Sequence, residues 1–457
     1  METFIHLLPV AMFVMLAIFL FTGFPVAMVL GGVGVLTALF AATDLIDAYN
    51  MRQFALITSR IYGGIVENLV LVAIPMFIYM GTMLEKSGVA SDLLHTLQVL
   101  LRRVPGGLAL SVTLMGTIMA ATTGIIGASV VMMTLLALPV MLNRGYNIPL
   151  ATGTIAASGT LGILIPPSIM LVIMGDLLSI SVGSLFLAAI VPGFMLAGLY
   201  LAYLYITCSI KPTLAPPLPG DEGPDTQAEL IKLVLRSFIP PIALIVLVLG
   251  SIFAGLATPT EASGVGAAGA TLLAWLNGRL NWRVMQDVLE RSALTGGMLF
   301  FIFVGATAFA YVFRALGGDD LVIEFVNLVG GGSWGVLFLL MAIVFFLGFF
   351  FDWIEITLIV LPVFAPIVAL LQFGTHVDPS DVVIWFAILV AVNLQTSFLT
   401  PPFGFALFYM KGVAPPNVRI QAIYRGIIPF VCLQLIGLLL VLGFPGLALW
   451  LPNTLLT

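Results

Sequence analysis

The feature that most constrains this sequence is a long apolar segment interrupted by two adjacent prolines. From about residue 382 to 410 the chain is apolar enough for one membrane-spanning helix, yet its middle reads Asn393-Leu-Gln-Thr-Ser-Phe-Leu-Thr-Pro-Pro-Phe-Gly404. Pro401 and Pro402 remove two backbone donors and clash with the preceding turn, so the helix must break here. In hydrocarbon the freed backbone groups are tolerated only where protein or a polar cavity satisfies them.

A second segment of the same kind occurs in the first half of the chain. It reads Ser158-Gly-Thr-Leu-Gly-Ile-Leu-Ile-Pro-Pro-Ser168, and its Pro166-Pro167 pair matches Pro401-Pro402. Two interrupted apolar segments at corresponding positions of two halves indicate the binding site of a secondary transporter. The remaining chain is therefore interpreted around this pair.

The composition excludes a soluble globular protein. Of the 457 residues 61% are hydrophobic and only 8% are charged, and the mean hydropathy is +1.20, whereas soluble domains have about 25% charged residues. Apolar runs of about 18 to 25 residues recur along the chain, each long enough to cross a bilayer core of roughly 30 Å. The sequence predicts an all-α polytopic membrane protein with the lipid bilayer as its environment.

Other classes of partner and cofactor have no support in the sequence. No basic cluster suggests binding to nucleic acid, and neither Cys208 and Cys432 nor the three scattered histidines show the spacing of a metal site. The N-terminus lacks the basic start of a cleaved signal, so residues 4–22 are interpreted as a retained first span. We expect no cofactor and no metal apart from a coupling ion.

Residues 107–142 form an apolar block too long for one simple span. One straight helix of this length would extend about 54 Å, nearly twice the bilayer core. Its centre, Ala121-Thr-Thr-Gly-Ile-Ile-Gly-Ala-Ser129, has the glycines and hydroxyls of a turn. We predict a re-entrant helical hairpin with its tip at mid-membrane; one long kinked span is the alternative.

The order of elements repeats in the second half, which indicates an internal repeat. The first repeat covers 1–210, with the hairpin 107–142 and the broken helix 148–178. A cytoplasmic Pro-rich linker, 211–235, follows. The second repeat covers 236–457, with an amphipathic stretch at 277–292, a span at 294–315, a second hairpin at 335–371, the broken helix 382–410 and a last span at 426–449.

Charge distribution predicts that the two repeats are inverted. The flanks of the first hairpin carry three arginines, Arg102, Arg103 and Arg144. The flanks of the second hairpin carry no Lys or Arg after Arg314, and their charged residues are the carboxylates Asp319, Asp320, Glu324, Asp378 and Asp381. By the positive-inside rule the first hairpin enters from the cytoplasm and the second from outside. Both termini are then predicted outside, and the only cations placed there are Arg52, Arg60 and Arg314.

Two carboxylates, Asp352 and Glu355, lie near the predicted tip of the second hairpin. A charge at mid-membrane costs about 3 kcal/mol on insertion scales, so a functional role is the default interpretation. The alternative is that the tip lies near the surface and both groups are solvated. Asp352 is the stronger candidate, because Glu355 could lean out along the following helix.

Hydroxyls and amides cluster at the two breaks and the first tip, and with backbone carbonyls they suit a small hard cation such as Na⁺. The first predicted site joins Thr122, Thr123, Ser129, Ser158 and Thr160. The second joins Asp352, Asn393, Gln395, Thr396 and Ser397. For any single hydroxyl, a hydrogen bond back to its own helix is the alternative.

The freed N–H groups and the helix starts after the breaks suit an anionic group on the substrate. The residues at the breaks that we expect to line the substrate site are Pro166, Pro167, Ser168, Thr400, Pro401 and Pro402.

With Ala257-Thr-Pro-Thr-Glu-Ala-Ser263, the two broken-helix motifs resemble the large membrane subunit of tripartite ATP-independent periplasmic (TRAP) transporters over essentially the whole chain. The resemblance implies Na⁺-coupled uptake of small organic anions, typically carboxylates, by an elevator-type transporter with two inverted-topology repeats. It also implies a periplasmic substrate-binding protein, a small four-helix membrane subunit on a separate chain, and a multi-pass location in the cytoplasmic (inner) membrane of a bacterium or archaeon.

Rival interpretations remain at this point. A one-component Na⁺/carboxylate symporter or ion antiporter would have the same architecture without a binding protein. An intramembrane enzyme would need a nucleophile–base pair or metal ligands, and the sequence offers no such constellation. A purely structural protein gives no reason for polar breaks at mid-membrane.

Overall fold

The computed structural model of the chain describes residues 2–43, 49–124, 126–216, 226–401 and 404–455. Within these ranges, the side chains of residues 2–5, 51, 122, 123 and 325–329 are not described. The protein is 81% helical, which confirms the all-α class predicted from composition. Six of the described helices are long and apolar enough to cross a membrane.

The helices are numbered along the chain. Those of the first half are α1 (Glu2–Phe21), α2 (Val26–Ala41), α3 (Met51–Ile61), α4 (Ala73–Lys86), α5 (Val89–Leu101), α6 (Gly107–Thr123), α7 (Ile126–Asn143), α8 (Ile148–Thr160), α9 (Ile169–Leu177) and α10 (Val182–Ile210). Those of the second half are α11 (Gln227–Phe253), α12 (Pro259–Leu276), α13 (Trp282–Ala315), α14 (Gly318–Val329), α15 (Gly332–Leu347), α16 (Trp353–Val368), α17 (Val382–Leu399), α18 (Phe405–Val413), α19 (Ile420–Gly443) and α20 (Gly446–Leu455).

Both overlong apolar blocks are helix–turn–helix units. In the first, Gly124 ends α6 in the left-handed conformation at φ 58°, which glycine adopts without a steric penalty, and α7 returns against α6. In the second, residues 348–352 separate α15 from α16, and Asp352 accepts a hydrogen bond from the backbone N–H of Trp353 at the start of α16. One continuous kinked span is excluded for residues 107–142.

Both Pro-Pro segments interrupt their helices as predicted. The first broken helix runs as α8, a short 3₁₀ turn at Leu161–Ile163, and α9 after the prolines. The second runs as α17 and then α18, which begins after Gly404 and continues to Val413, slightly beyond the expected end. Each break divides one apolar segment into two half-helices with their own termini.

The two halves contact each other reciprocally. α2 packs against α13 and α4 against α12, while α8 packs against α19 and α17 against α10. The second hairpin arm of each half also contacts the last half-helix of the other half, α7 with α18 and α16 with α9. Such an exchange is what two related repeats produce when they are intertwined.

Small residues permit the closest of these helix crossings, as is usual in membranes. A Cβ added to Gly305 of α13 would lie 2.4 Å from the carbonyl oxygen of Ala27 in α2. A Cβ added to Gly153 of α8 would lie 2.1 Å from the carbonyl oxygen of Gly426 in α19. Larger residues at these positions would force the helices apart.

Three expected boundaries are wrong. The amphipathic stretch 277–292 and the span 294–315 form one helix, α13, since no proline interrupts residues 282–315. The linker predicted to end at residue 235 is already helical from Gln227, where Thr226 accepts from the N–H of Glu229 and caps α11. Of that linker, residues 217–225 lie outside the described part of the chain. The last span ends at Gly443, before Pro445, and α20 follows.

Candidate functional site

A cavity of about 480 Å³ lies between the two hairpin tips and the pair α4 and α13. One wall is formed by residues of the tips and half-helices: Gly124, Ile126, Gly127, Ala128, Val131, Ile169, Asp352, Trp353, Ile354, Phe398, Phe405 and Tyr409. The other wall is formed by residues of α4 and α13: Ile78, Thr82, Glu85, Arg291, Leu294, Thr295, Met298 and Leu299. The volume suits a small molecule.

Four helix N-termini meet at this cavity. Ile126 begins α7, Ile169 begins α9, Trp353 begins α16 and Phe405 begins α18, and all four residues line the cavity. The first N–H groups of a helix have no intrahelical acceptor and carry the positive end of the helix dipole. Such a convergence favours a negatively charged group, and at α16 the Asp352 carboxylate already accepts from the N–H of Trp353.

A charged network lies at the end of the cavity formed by α4 and α13. Glu85 and Arg291 line the cavity, and Asp287 binds both Arg291, with 3.0 Å between Nε and Oδ1, and Lys86, with 2.8 Å between Nζ and Oδ2. Our sequence reasoning missed these residues. Their charges are visible in the sequence, but only the packing of α13 against α4 brings them together.

Asp352 is half-buried and lines the cavity at the start of α16, where its carboxylate accepts from the N–H of Trp353 at 2.8 Å. Glu355, one turn further, is only 8% exposed and does not lean out, so that expectation is wrong. Its Oε2 has no hydrogen-bond partner among the described residues. Of the two carboxylates, Asp352 therefore belongs to the cavity and Glu355 to the packing behind it.

The structure brings together two members of the second predicted cation site. Asn393 and Ser397 lie one turn apart on α17 and both face α15: Asn393 Nδ2 donates to the carbonyl oxygen of Met341 at 2.8 Å, and Ser397 contacts Gly348. Gln395, two positions from each, lies on the opposite face of α17 by helical geometry. The Thr396 hydroxyl donates to the carbonyl oxygen of Asn393 at 2.7 Å, a bond within its own helix.

Several buried polar atoms of α17 have no hydrogen-bond partner among the described residues. They are Asn393 Oδ1, Ser397 Oγ, and both amide atoms of Gln395. An unpaired buried polar atom costs about 1–3 kcal/mol, so a partner such as water or a cation is expected. Ser397 lies at the end of α15, where the last carbonyls of a helix carry its negative end, whereas Asn393 lies against Met341 in the middle of α15. This set of donors fits a hard cation.

The first predicted cation site stays a prediction. Ser158 donates to the hydroxyl of Thr113 in α6 at 3.2 Å, and Thr160 donates to the carbonyl oxygen of Ala157 in its own helix at 2.9 Å. Ser129 is buried in α7. The side chains of Thr122 and Thr123 lie outside the described part of the structure. A hydroxyl that donates to a carbonyl keeps its lone pairs, so these bonds leave cation binding by Ser158 and Thr160 open.

The described residues of the breaks do not line this cavity. Ser168 donates to the carbonyl oxygen of Ile163, and Thr400 donates to that of Thr396 at 2.6 Å, so both hydroxyls satisfy backbone freed by the breaks. Pro166 and Pro167 are buried and Pro401 is exposed, and none of the three lines the cavity, whose wall is formed by neighbours such as Ile169, Phe398 and Phe405. Pro402 lies outside the described residues.

A family model described as the DctM component of tripartite ATP-independent periplasmic transporters matches residues 13–447. The chain is also 31% identical to the C4-dicarboxylate TRAP transporter large permease protein DctM of Pseudomonas aeruginosa, covering 93% of each protein. It is 29% identical to the isethionate TRAP transporter permease protein DctMQ of Oleidesulfovibrio alaskensis, covering 95% of this chain and 65% of that protein.

The fold is similar to that of a solved membrane protein, the YdaH transporter of Alcanivorax borkumensis, whose crystal structure was described as revealing an unusual topology. The TM-score is 0.59 at 16% sequence identity, with 91% of this chain and 96% of the other covered. At this identity the likeness concerns the fold alone.

Proposed function

The chain belongs to the DctM component family of the tripartite ATP-independent periplasmic transporters, and from this premise we propose that it is the large permease subunit of a Na⁺-coupled importer of small organic anions. The resemblance found in the broken-helix motifs is thereby confirmed at the level of the family. The coupling ion, the substrate class and the direction of transport are the proposal.

The observation that carries this proposal is the convergence of four half-helix N-termini on one cavity of about 480 Å³. Such a cavity attracts the negative group of a ligand through backbone N–H groups and helix dipoles. The relatives named for C4-dicarboxylate and for isethionate have anionic substrates in common. A carboxylate or sulfonate of a few carbon atoms is the ligand class that fits both the volume of this cavity and the positive electrostatic potential of its helix N-termini.

Asp352 supports coupling to a cation. Its carboxylate lies on the cavity wall, where it would repel an anionic substrate unless its charge is balanced. Asn393 Oδ1 and Ser397 Oγ are buried oxygen atoms that need a partner. Ser397 lies beside the turn that leads from α15 to Asp352, and Asn393 lies one turn earlier on α17, against Met341. A Na⁺ ion held by these groups would neutralise the field of Asp352 and make the cavity favourable for the anion. Cation binding and anion binding then reinforce each other.

The cavity opens beside Glu85 and Arg291 at the ends of α4 and α13 that the positive-inside rule places in the cytoplasm. We infer that this conformation is inward-facing. The two hairpins and broken helices, with α10 and α19, would move as a hairpin unit across a frame of α2, α4, α12 and α13, which is an elevator motion. We also infer that both termini lie on the periplasmic side of the inner membrane.

The proposed partners follow from the family and from the comparison with a longer relative. The chain is one component of a tripartite system, and it covers only 65% of the relative named DctMQ. We propose that the remaining part of that relative corresponds to a small membrane subunit and that such a subunit is a partner of this chain. A periplasmic binding protein would deliver the anion.

The test is uptake by proteoliposomes that contain this chain, its small subunit and its binding protein, with an imposed Na⁺ gradient and, in parallel, a proton gradient. Uptake is expected with the Na⁺ gradient and all three proteins, and not with the chain alone. Na⁺-driven uptake by the chain alone would favour the one-component symporter, and uptake that follows only the proton gradient would refute Na⁺ coupling.

A further inference from the structure

A second cavity, of about 490 Å³, lies at the other end of the boundary between the frame and the hairpin unit. Its walls combine residues of α3 and α13 with residues of α9 and α16: Gln53, Arg60, Leu177, Phe303, Ala306, Thr307, Ala310, Tyr311, Arg314, Ala315, Leu358 and Pro362. Two of these are arginines, Arg60 from α3 and Arg314 from α13, and both are exposed. The cavity therefore presents two guanidinium groups, one on α13 of the frame and one on α3, which packs against α13 and is counted with the frame from here on.

Both arginines are unusual for the side of the membrane where they lie. The orientation inferred from sequence places only three cations on the outer side, Arg52, Arg60 and Arg314, because basic residues are normally retained inside. Two of these three line this one cavity. The rest of the outer surface carries carboxylates that would repel an incoming anion, so the two arginines give the cavity a local field of the opposite sign.

Helix α16 connects the two cavities. Asp352 at its start lines the inner cavity, while Leu358 and Pro362 line the outer one. At 1.5 Å per residue these positions lie about 9 and 15 Å from Asp352 along the helix. An outward displacement of the hairpin unit by that amount would bring the four helix N-termini to the level of Arg60 and Arg314.

Arg314 is held on the hairpin unit in the present conformation. Pro366 has no N–H, so the carbonyl oxygen of Pro362, four residues earlier in α16, lacks its intrahelical donor. The Arg314 guanidinium donates to this oxygen, with 2.5 Å between the two heavy atoms. It also lies 3.8 Å from a carboxylate oxygen of Asp319. Displacement of α16 would remove the carbonyl and leave this edge of the guanidinium free for another acceptor.

We propose that the outer cavity is the loading site for the transported anion, in which Arg60 and Arg314 bind its carboxylate or sulfonate group from the frame side. The site is complete when the hairpin unit is displaced outward and supplies the helix N-termini from the opposite side. Because the arginines remain with the frame, their attraction is lost when the unit returns inward. The same residues thus favour binding outside and release inside. This inference depends on the proposed function.

The test uses charged thiol reagents in place of an unidentified substrate. Both native cysteines, Cys208 and Cys432, are replaced by alanine, and Ala310→Cys places one thiol on the cavity wall. An anionic and a cationic methanethiosulfonate are applied from outside to the complete transporter complex. Arg60→Gln with Arg314→Gln should lower the ratio of anionic to cationic labelling rates by roughly threefold or more, and added salt should reduce the difference.

Arg52→Gln is the matched control, since Arg52 is the third outer arginine and does not line the cavity. It should leave the labelling ratio within experimental error. An equal effect of Arg52→Gln, or no effect of the double variant, would overturn the assignment. Labelling does not depend on transport, so this result is independent of the coupling mechanism.

Uptake measurements distinguish failure of the proposed loading site from failure of the proposed function. With the parent chain active, Arg60→Gln and Arg314→Gln should each raise the KM for the loaded binding protein several-fold, and Arg60→Lys should restore part of the loss. An unchanged KM in both glutamine variants, with Na⁺-driven uptake intact, would refute the loading site and leave the proposed function standing. Absence of Na⁺-driven uptake in the parent complex would instead refute the proposed function.

Discussion

Gly348 at the end of α15 packs so closely on Ser397 of α17 that a Cβ added to the glycine would lie 1.9 Å from the serine Oγ. Gly348 has ordinary helical dihedrals, φ −62° and ψ −15°, so the requirement for glycine here is one of space. The contact places the end of the first arm of the second hairpin directly on the oxygen that lacks a hydrogen-bond partner. The proposed cation site depends on this contact.

Gly348→Ala should therefore impair cation binding more than folding. The methyl group must displace Ser397 or α15, and we expect the Na⁺ concentration for half-maximal uptake to rise at least several-fold. The measurement is a Na⁺ titration of uptake in the complete complex. Gly198→Ala in α10 is the control, because a Cβ there meets nothing within 4 Å. A wild-type Na⁺ response in Gly348→Ala would contradict the predicted site.

Asp352→Asn tests the carboxylate on the cavity wall. The change keeps size and the hydrogen bond to the N–H of Trp353 but removes the charge that a cation would balance. We expect intact assembly and a weakened or abolished Na⁺-dependent uptake, measured at fixed pH. Glu355→Gln is the matched variant and should change the Na⁺ response less, since Glu355 lies outside the cavity wall. If Asp352→Asn transports with an unchanged Na⁺ response, Asp352 is not a ligand.

Ala128→Cys tests the position of the first hairpin tip. Ala128 lies on the wall of the inner cavity near the start of α7. In a chain without native cysteines, we expect labelling by a membrane-impermeant thiol reagent from the cytoplasmic side, and slower labelling when substrate and Na⁺ are present. Ala137→Cys, on the same helix and fully buried, should stay unlabelled. Labelling of Ala128→Cys from the outside alone would reverse the assigned orientation.

Asn68→Ala tests a polar contact between the frame and the hairpin unit. Asn68 Nδ2 donates to Asp176 Oδ1 at 2.6 Å, which joins the segment before α4 to the end of α9. Loss of a hydrogen bond to a charged group costs about 1.5–3 kcal/mol, so the present conformation should become less populated. We expect Ala128→Cys to be labelled more slowly from the cytoplasm in this background.

Asn281→Ala is its control. Asn68 also caps the short 3₁₀ turn before α4, where its Oδ1 accepts from the N–H of Val70 at 3.0 Å. Asn281 likewise caps α13, accepting from the N–H of Val284 at 2.9 Å, and this bond lies within the frame. It should lower thermal stability by a similar cap term of about 1 kcal/mol without changing the labelling rate. Equal labelling changes in both variants would assign the effect of Asn68→Ala to helix stability alone.

The sequence alone determined the helical class, the two helix–turn–helix blocks and the two broken helices. These features rest on local chemistry at particular positions: Pro166, Pro167 and Pro401 remove backbone donors at the breaks, and Gly124 ends α6 in the left-handed conformation. Proline pairs are not sufficient by themselves, because Pro240 and Pro241 lie within the continuous helix α11. The Pro-Pro motifs also carried the resemblance to the family, which the match over residues 13–447 confirms. The continuity of α13 was missed, because an amphipathic stretch and an apolar span have different compositions but no breaker between them.

Only the tertiary structure decided which polar groups meet. The sequence grouped Gln395 with Asn393 and Ser397, although helical periodicity of about 100° per residue already places Gln395 on the opposite face. The convergence of four helix N-termini, the contact of Gly348 with Ser397 and the hydrogen bond from Arg314 to Pro362 each join elements far apart in the chain. Local sequence places the strongest helix breaks, whereas the neighbours of each helix are selected by packing over the whole fold.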